Sequence, residues 1–155
     1  MEKKQPLIVV VGPTASGKTA VGIELAKEYN GEVVSADSMQ IYKGMDIATA
    51  KPDEEEMQGI PHHLISELEP TSSFSVAEYV KLAQQKIEDI AARGKLPILV
   101  GGTGLYVSSL IDNINFDNAI TDGSVRRKLT EEAERIGNEA MLEKLREIDP
   151  EAAEK

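Results

Sequence analysis

A chain of 155 residues with 41% hydrophobic and 28% charged residues has the length of one domain and the composition of a folded globular protein, which excludes collagen-like, low-complexity and wholly disordered chains. No apolar run approaches the roughly 20 residues that cross a bilayer, so no membrane partner is expected, and the lack of cysteine excludes a disulfide scaffold, a thiolate zinc site and a cysteine nucleophile. The net charge of −10 comes from 17 basic against 27 acidic residues and divides as −5 in residues 1–111 and −5 in 112–155; a dedicated nucleic-acid binder is usually basic, so charge alone speaks against such a partner.

Met1 to Pro6 are charged and polar, without the apolar stretch and cleavage site of a signal peptide, and a cytoplasmic location is expected. Leu7–Val11 is a continuous, mostly β-branched run of the kind that forms a strand buried on both faces, as in a parallel sheet. A helix is predicted from Thr19 to Tyr29, stopped by Asn30-Gly31, then a short strand over Glu32–Ala36 ending at Asp37. Pro52–Gly59 reads as one or two helical turns and His62–Leu68 as a third strand. The clearest helix spans Val76–Arg93. Ser75 and Glu78 have capping-box spacing, Val76, Tyr79, Val80, Ala83, Ile87 and Ile90 form an apolar stripe, and Gly94 provides the stop. Pro97–Val100 is a further buried strand ending at Gly101-Gly102, and a helix is predicted over Thr103–Asp112. Alternating strands and helices argue for a parallel α/β sheet.

After Ile111 the chain changes character. Asp112–Gly123 is polar and reads as a connector. Ser124–Ile136 and Asn138–Ile148 read as two amphipathic helices split at Gly137, a hairpin whose stripe (Leu129, Ala133, Ile136, then Met141, Leu145, Ile148) must pack on something. Two regions are therefore expected, an α/β core over 1–111 and a helical segment over 112–155. Nothing in the sequence assigns an oligomeric state.

Gly12-Pro13-Thr14-Ala15-Ser16-Gly17-Lys18-Thr19 matches G-x-x-x-x-G-K-[ST] at every fixed position and lies between a buried strand and a helix, the context that makes the pattern meaningful. The glycines let backbone N–H groups wrap a phosphate, the helix N-terminus adds positive potential, Lys18 brings a cation to the outer oxygens, and the Thr19 hydroxyl can ligate a bridging Mg²⁺. This predicts a site for a di- or triphosphate group and a fold of the P-loop NTPase-like kind: a parallel sheet flanked by helices, with the start of a small helical insertion domain.

In a parallel sheet the strand C-termini share one edge, where ligands bind. Three turns belong there: Gly12–Thr19, Asp37–Gln40 and Gly101–Tyr106. Asp37 can hold magnesium through water, act as a general base, or cap the next turn. Gly101–Gly104 suits either a ligand-facing turn or an ordinary helix cap. His62-His63 lacks a third histidine or a cysteine, which favours a turn over a metal site. Lys43 and Lys51 either meet an anionic substrate or are solvated. Asp53–Glu56 reads as a solvated helix start, and Arg126-Arg127-Lys128 as a solvated helix face or a phosphate contact.

The phosphate loop followed by Asp37-Ser38-Met39-Gln40-Ile41-Tyr42, by Ile47-Ala48-Thr49-Ala50-Lys51-Pro52, by Pro61-His62-His63-Leu64, by Gly101-Gly102-Thr103-Gly104-Leu105-Tyr106 and by Ile148-Asp149-Pro150 resembles the tRNA dimethylallyltransferase family, bacterial members above all, over nearly the whole chain. The resemblance implies transfer of a dimethylallyl group from its diphosphate to the exocyclic amine of the adenine beside the tRNA anticodon, with Mg²⁺ as cofactor and tRNA and dimethylallyl diphosphate as partners. It implies that Asp37 is the general base, that Gly12–Thr19 hold the diphosphate, and that Thr19 holds the metal. It further implies that Asp37, Ser38, Met39 and Gln40 line the tRNA base pocket, that Thr103 contacts the same nucleotide or the phosphate network, and that Arg126 contacts tRNA. Family members are longer; the resemblance makes this chain an N-terminal piece and places much of the tRNA-binding surface elsewhere. Two other readings compete. One is a P-loop small-molecule or nucleoside kinase using ATP. The other is a non-catalytic nucleotide-binding module whose helical hairpin docks a partner.

Overall fold

The structure, a computed structural model, describes residues 5–47, 49–114 and 123–154. The chain divides into two compact units, Met1–Ile114 and Asn115–Lys155. The first contains β1 (Ile8–Val11), α1 (Lys18–Glu28), β2 (Gly31–Ala36), α2 (Glu54–Met57), β3 (His62–His63), α3 (Val76–Ala92), β4 (Leu96–Gly101) and α4 (Gly104–Ile111). The sheet is wholly parallel, in the order β1-β4-β2-β3. Side chains alternate across a strand. Val33, Ile98 and Val100 therefore share the face on which Ala26 and Leu25 of α1 pack, with Ile8 and Val10 beside them. Val34 and Leu99 point the other way and are fully buried. α3 packs on β2, β4 and α4; Tyr79 stacks on Tyr106 at 3.9 Å between ring centroids, and its hydroxyl donates to the Ser35 carbonyl oxygen at 3.1 Å. Burial raises the Tyr79 pKa and keeps that proton in place.

The capping box at Ser75 and Glu78 forms as the sequence predicts, and α3 buries Tyr79, Val80, Ala83, Ile87 and Ile90. Two expectations fail. The strand at His62 stops after two residues, because Leu64 and Ser66 have φ of 61° and 52°, a left-handed backbone no strand accommodates. β1 is not buried on both faces: among the described strands it pairs only with β4, and Val11 is 58% exposed. The connector predicted at Asp112–Gly123 falls largely on residues 115–122, outside the described residues.

The second unit contains α5 (Ser124–Ile136), α6 (Asn138–Ile148) and α7 (Pro150–Ala153). Gly137 separates α5 from α6 with φ of 83°. Asp149 caps α7 by accepting from the Ala152 N–H at 3.0 Å, with Pro150 in the first turn, a favourable start for a helix. No residue of α5 or α6 is fully buried. Leu129 and Leu145 of the predicted stripe are exposed, and Lys144 pairs with Glu132 across the hairpin.

Candidate functional site

The parallel register aligns Val11 with Gly101 and Gly101 with Ala36, so three chain segments leave the sheet at one level. Close backbone approach locks two of them together. A Cβ on Gly101 would lie 2.2 Å from the Ala36 carbonyl oxygen, so only glycine fits. Just beyond, the Thr103 N–H donates to the Ala36 carbonyl at 3.1 Å, the Ser38 N–H donates to Thr103 Oγ1 at 3.0 Å, and the Thr103 hydroxyl faces Ser38 Oγ at 3.3 Å. The third segment meets them at Gly102, whose Cβ position lies 3.1 Å from the Gly12 carbonyl oxygen and 4.0 Å from Lys18 Nζ. Thr103 is therefore the residue that precedes α4, not its first residue, and its hydroxyl serves the neighbouring turn instead of its own helix.

The loop Gly12–Lys18 has the form an anion needs. Ala15 and Gly17 have φ of 63° and 81°, turning the backbone back on itself before α1. No side chain caps the N-terminus of α1, so its first N–H groups have no side-chain acceptor. Lys18 Nζ folds over the loop and donates to the Pro13 carbonyl at 3.0 Å. Thr19 is half-buried at the same helix start. A cavity of about 460 Å³ opens beside the loop, with Gly12, Pro13 and Gly102 on one side and Val11, Val107 and Ile111 as an apolar wall.

Asp37 directly follows β2. Its Oδ1 accepts from the Met39 N–H at 2.9 Å and the Gln40 N–H at 3.3 Å, while Oδ2 has no partner among the described residues. Gln40 faces inward: Oε1 accepts from Ser35 Oγ at 3.2 Å, and Nε2 donates to the carbonyls of Thr49 and Ala50. Met39 is exposed. Lys51 fits neither of the roles weighed for it. Its side chain is only 5% exposed, and Nζ donates to the Tyr42 carbonyl, Asp46 Oδ1 and Ser66 Oγ at 2.7–2.8 Å. No local pattern marks this burial, because its acceptors lie five to fifteen residues away. Lys43 pairs with Glu69 at the surface.

The histidine pair divides. His62 donates from Nδ1 to the Ile60 carbonyl at 2.8 Å; burial lowers its pKa, its Nε2 is buried without a partner among the described residues, and the residue lines a cavity of about 20 Å³ with Thr19, Ser35 and Gln40. His63 Nε2 donates to Glu32 at 2.7 Å. Glu32 also receives both nitrogens of the Arg93 fork, at 2.5 and 2.7 Å, and Lys95 Nζ at 2.8 Å. These cations, Arg93 first, hold its carboxyl well below the usual range despite burial. Asp53 and Glu56 form a capping box on α2. Arg126, Arg127 and Lys128 are exposed on the first turns of α5.

A parallel sheet carrying this loop between its first strand and first helix defines a P-loop NTPase-like core. The family model for IPP transferases matches residues 40–155, and the chain belongs to that family. It is 58% identical over 149 residues to the tRNA dimethylallyltransferase of Acetivibrio thermocellus, covering 96% of this chain and 48% of that protein. With the Bacillus subtilis protein of the same name it shares 53% over 150 residues, 97% and 48%. Among solved structures, the full-length tRNA isopentenylpyrophosphate transferase of Bacillus halodurans matches with a TM-score of 0.73 at 51% identity, over 97% of this chain and 50% of that one. A eukaryotic dimethylallyltransferase acting on tRNA matches at 0.84 and 33% identity, over 97% and 37%. The chain spans about half the length of the curated relatives it matches.

Proposed function

We propose that this chain carries the diphosphate site and the base of a tRNA dimethylallyltransferase. The observation that carries the reading is the juxtaposition at one sheet edge of a phosphate loop, a carboxylate with one uncommitted oxygen, and a cavity with an apolar wall, in a chain that belongs to the IPP transferase family. In the reaction, the bond between the allylic carbon and the diphosphate oxygen breaks and the adenine exocyclic nitrogen bonds to that carbon. The amine proton passes to Asp37 Oδ2 and inorganic diphosphate leaves. Stabilising the departing charge is the main catalytic task. The backbone N–H groups of residues 14–19 and the Lys18 ammonium supply that stabilisation, and the apolar wall of Val11, Val107 and Ile111 suits the five-carbon group. Mg²⁺ fits a hard oxygen donor such as the half-buried Thr19 hydroxyl at the start of α1; Thr19 would hold the ion beside the diphosphate, where it would neutralise leaving-group charge. Asp37–Gln40 form the base-facing turn, Thr103 braces it through Ser38, and Arg126 offers a tRNA phosphate contact. A cytoplasmic enzyme follows from this substrate.

Calorimetric titration of the 155-residue chain tests the reading: diphosphate and dimethylallyl diphosphate should bind in the presence of Mg²⁺. Phosphoryl transfer from ATP to a small alcohol, with no response to the prenyl diphosphate, would establish the kinase instead. With net charge −10 this chain alone should bind tRNA weakly in a gel shift, since phosphate contacts need cations.

A further inference from the structure

The loop between Asp37 and Pro52 is organised by two side chains whose donors all end within the chain. A primary amide has two N–H donors and an ammonium three. Gln40 Nε2 donates to Thr49 and Ala50 at 3.1 and 3.2 Å. Lys51 Nζ donates to Tyr42, Asp46 and Ser66. A buried ammonium is tolerated only when it is fully paired, and Lys51 meets that condition. Its acceptors tie the far end of the loop to Tyr42 and Asp46 earlier in the same loop and, through Ser66, to the segment after β3. Gln40 ties the returning strand of the loop, at Thr49 and Ala50, back to Ser35 on β2. Its own N–H, with that of Met39, holds Asp37 Oδ1.

We infer that Gln40 and Lys51 are positioning residues: together they lock the turn 37–40 in one conformation, with Asp37 Oδ1 bound to backbone and Oδ2 left for substrate, before any ligand arrives. Gln40 thus acts through Asp37 and not as a contact to the base, since its amide donors are already engaged. A base placed in advance avoids the ordering penalty at the moment of reaction. The catalytic half of this inference rests on Asp37 being the base.

Two measurements test it. In the 155-residue chain, amide hydrogen exchange should accelerate at least about tenfold at Met39 and Gln40 in both Gln40→Leu and Lys51→Met, while Val100 in β4 reports an unchanged sheet. Ser66→Ala, which removes a single Lys51 acceptor, should give a smaller acceleration at the same amides and serves where Lys51→Met does not fold. Unchanged exchange at Met39 and Gln40 overturns the proposal. In the gene product, Gln40→Leu should lower kcat about 10–100-fold and leave KM for tRNA and for dimethylallyl diphosphate within about twofold. A tenfold rise in KM for tRNA with kcat intact would make Gln40 a substrate contact and overturn it too. If the unsubstituted protein transfers no prenyl group, the reading of the reaction fails, and the exchange rates alone decide whether the two residues hold the turn.

Discussion

The two units of this chain show how differently an amphipathic pattern can end. In α3, the stripe beginning at Tyr79 is completely buried against the sheet and α4. In α5 and α6, a stripe equally plain in the sequence stays open: Leu129 is 48% exposed and Leu145 39%. The spacing of apolar residues specifies a helix and the side it must bury, but burial itself needs a partner surface of matching extent. The first unit supplies one in its own sheet; α5 and α6 only half-bury Ala133, Ile136 and Met141 and are joined by ion pairs such as Lys144 with Glu132.

Substitutions can sharpen or break this contrast. The largest effect is expected at the sheet edge: in the gene product, Asp37→Ala should lower the prenyl-transfer rate by about 10²–10⁴ with diphosphate affinity little changed; a rate barely altered removes Asp37 as the base. Next comes the core. Ile98→Ala, at a fully buried position, should destabilise the first unit by about 2–5 kcal/mol in denaturant titration. Glu32→Gln should cost about 2 kcal/mol, as charge-assisted bonds to Arg93, Lys95 and His63 weaken. The folded carboxyl of Glu32 is held below its unfolded pKa of about 4, so its contribution is complete above that pH and is lost progressively as pH falls from there through the folded value; acid titration of the variant should show a flatter loss of stability. Smallest is the helical unit, where Leu129→Ala should change stability by less than about 0.5 kcal/mol. A larger loss there would show that α5 has a partner surface after all and collapse the contrast.

Much of the first unit was legible because its signals are local. The β-branched run before Gly12, the capping box at Ser75 and Glu78 and the complete phosphate loop each lie within a few residues, as does the Gly137 break in the second unit. What escaped depends on distant groups. His62–Leu68 reads as a strand of imperfect alternation, and Leu64 and Ser66 take left-handed backbone without glycine or asparagine to announce it. The buried state of Lys51 follows from a carbonyl at Tyr42 and a hydroxyl at Ser66. Glu32 looks like a surface residue at a strand start, yet its three side-chain partners, His63, Arg93 and Lys95, come from β3, from the residue that ends α3 and from the residue before β4. The short helix α7 was readable in principle, since Asp149-Pro150 is a cap followed by a favoured first position.

The burial of Lys51 has a chemical consequence. Amine-reactive acylating reagents need an uncharged, accessible nitrogen. Lys43 and Lys27 stand partly open to solvent, whereas Lys51 Nζ is enclosed with all its protons engaged. In a competitive labelling experiment read by mass spectrometry, Lys51 should therefore be modified only as fast as the loop around it opens. That makes it a built-in clock for the segment bordering the substrate edge, readable without introducing any foreign probe.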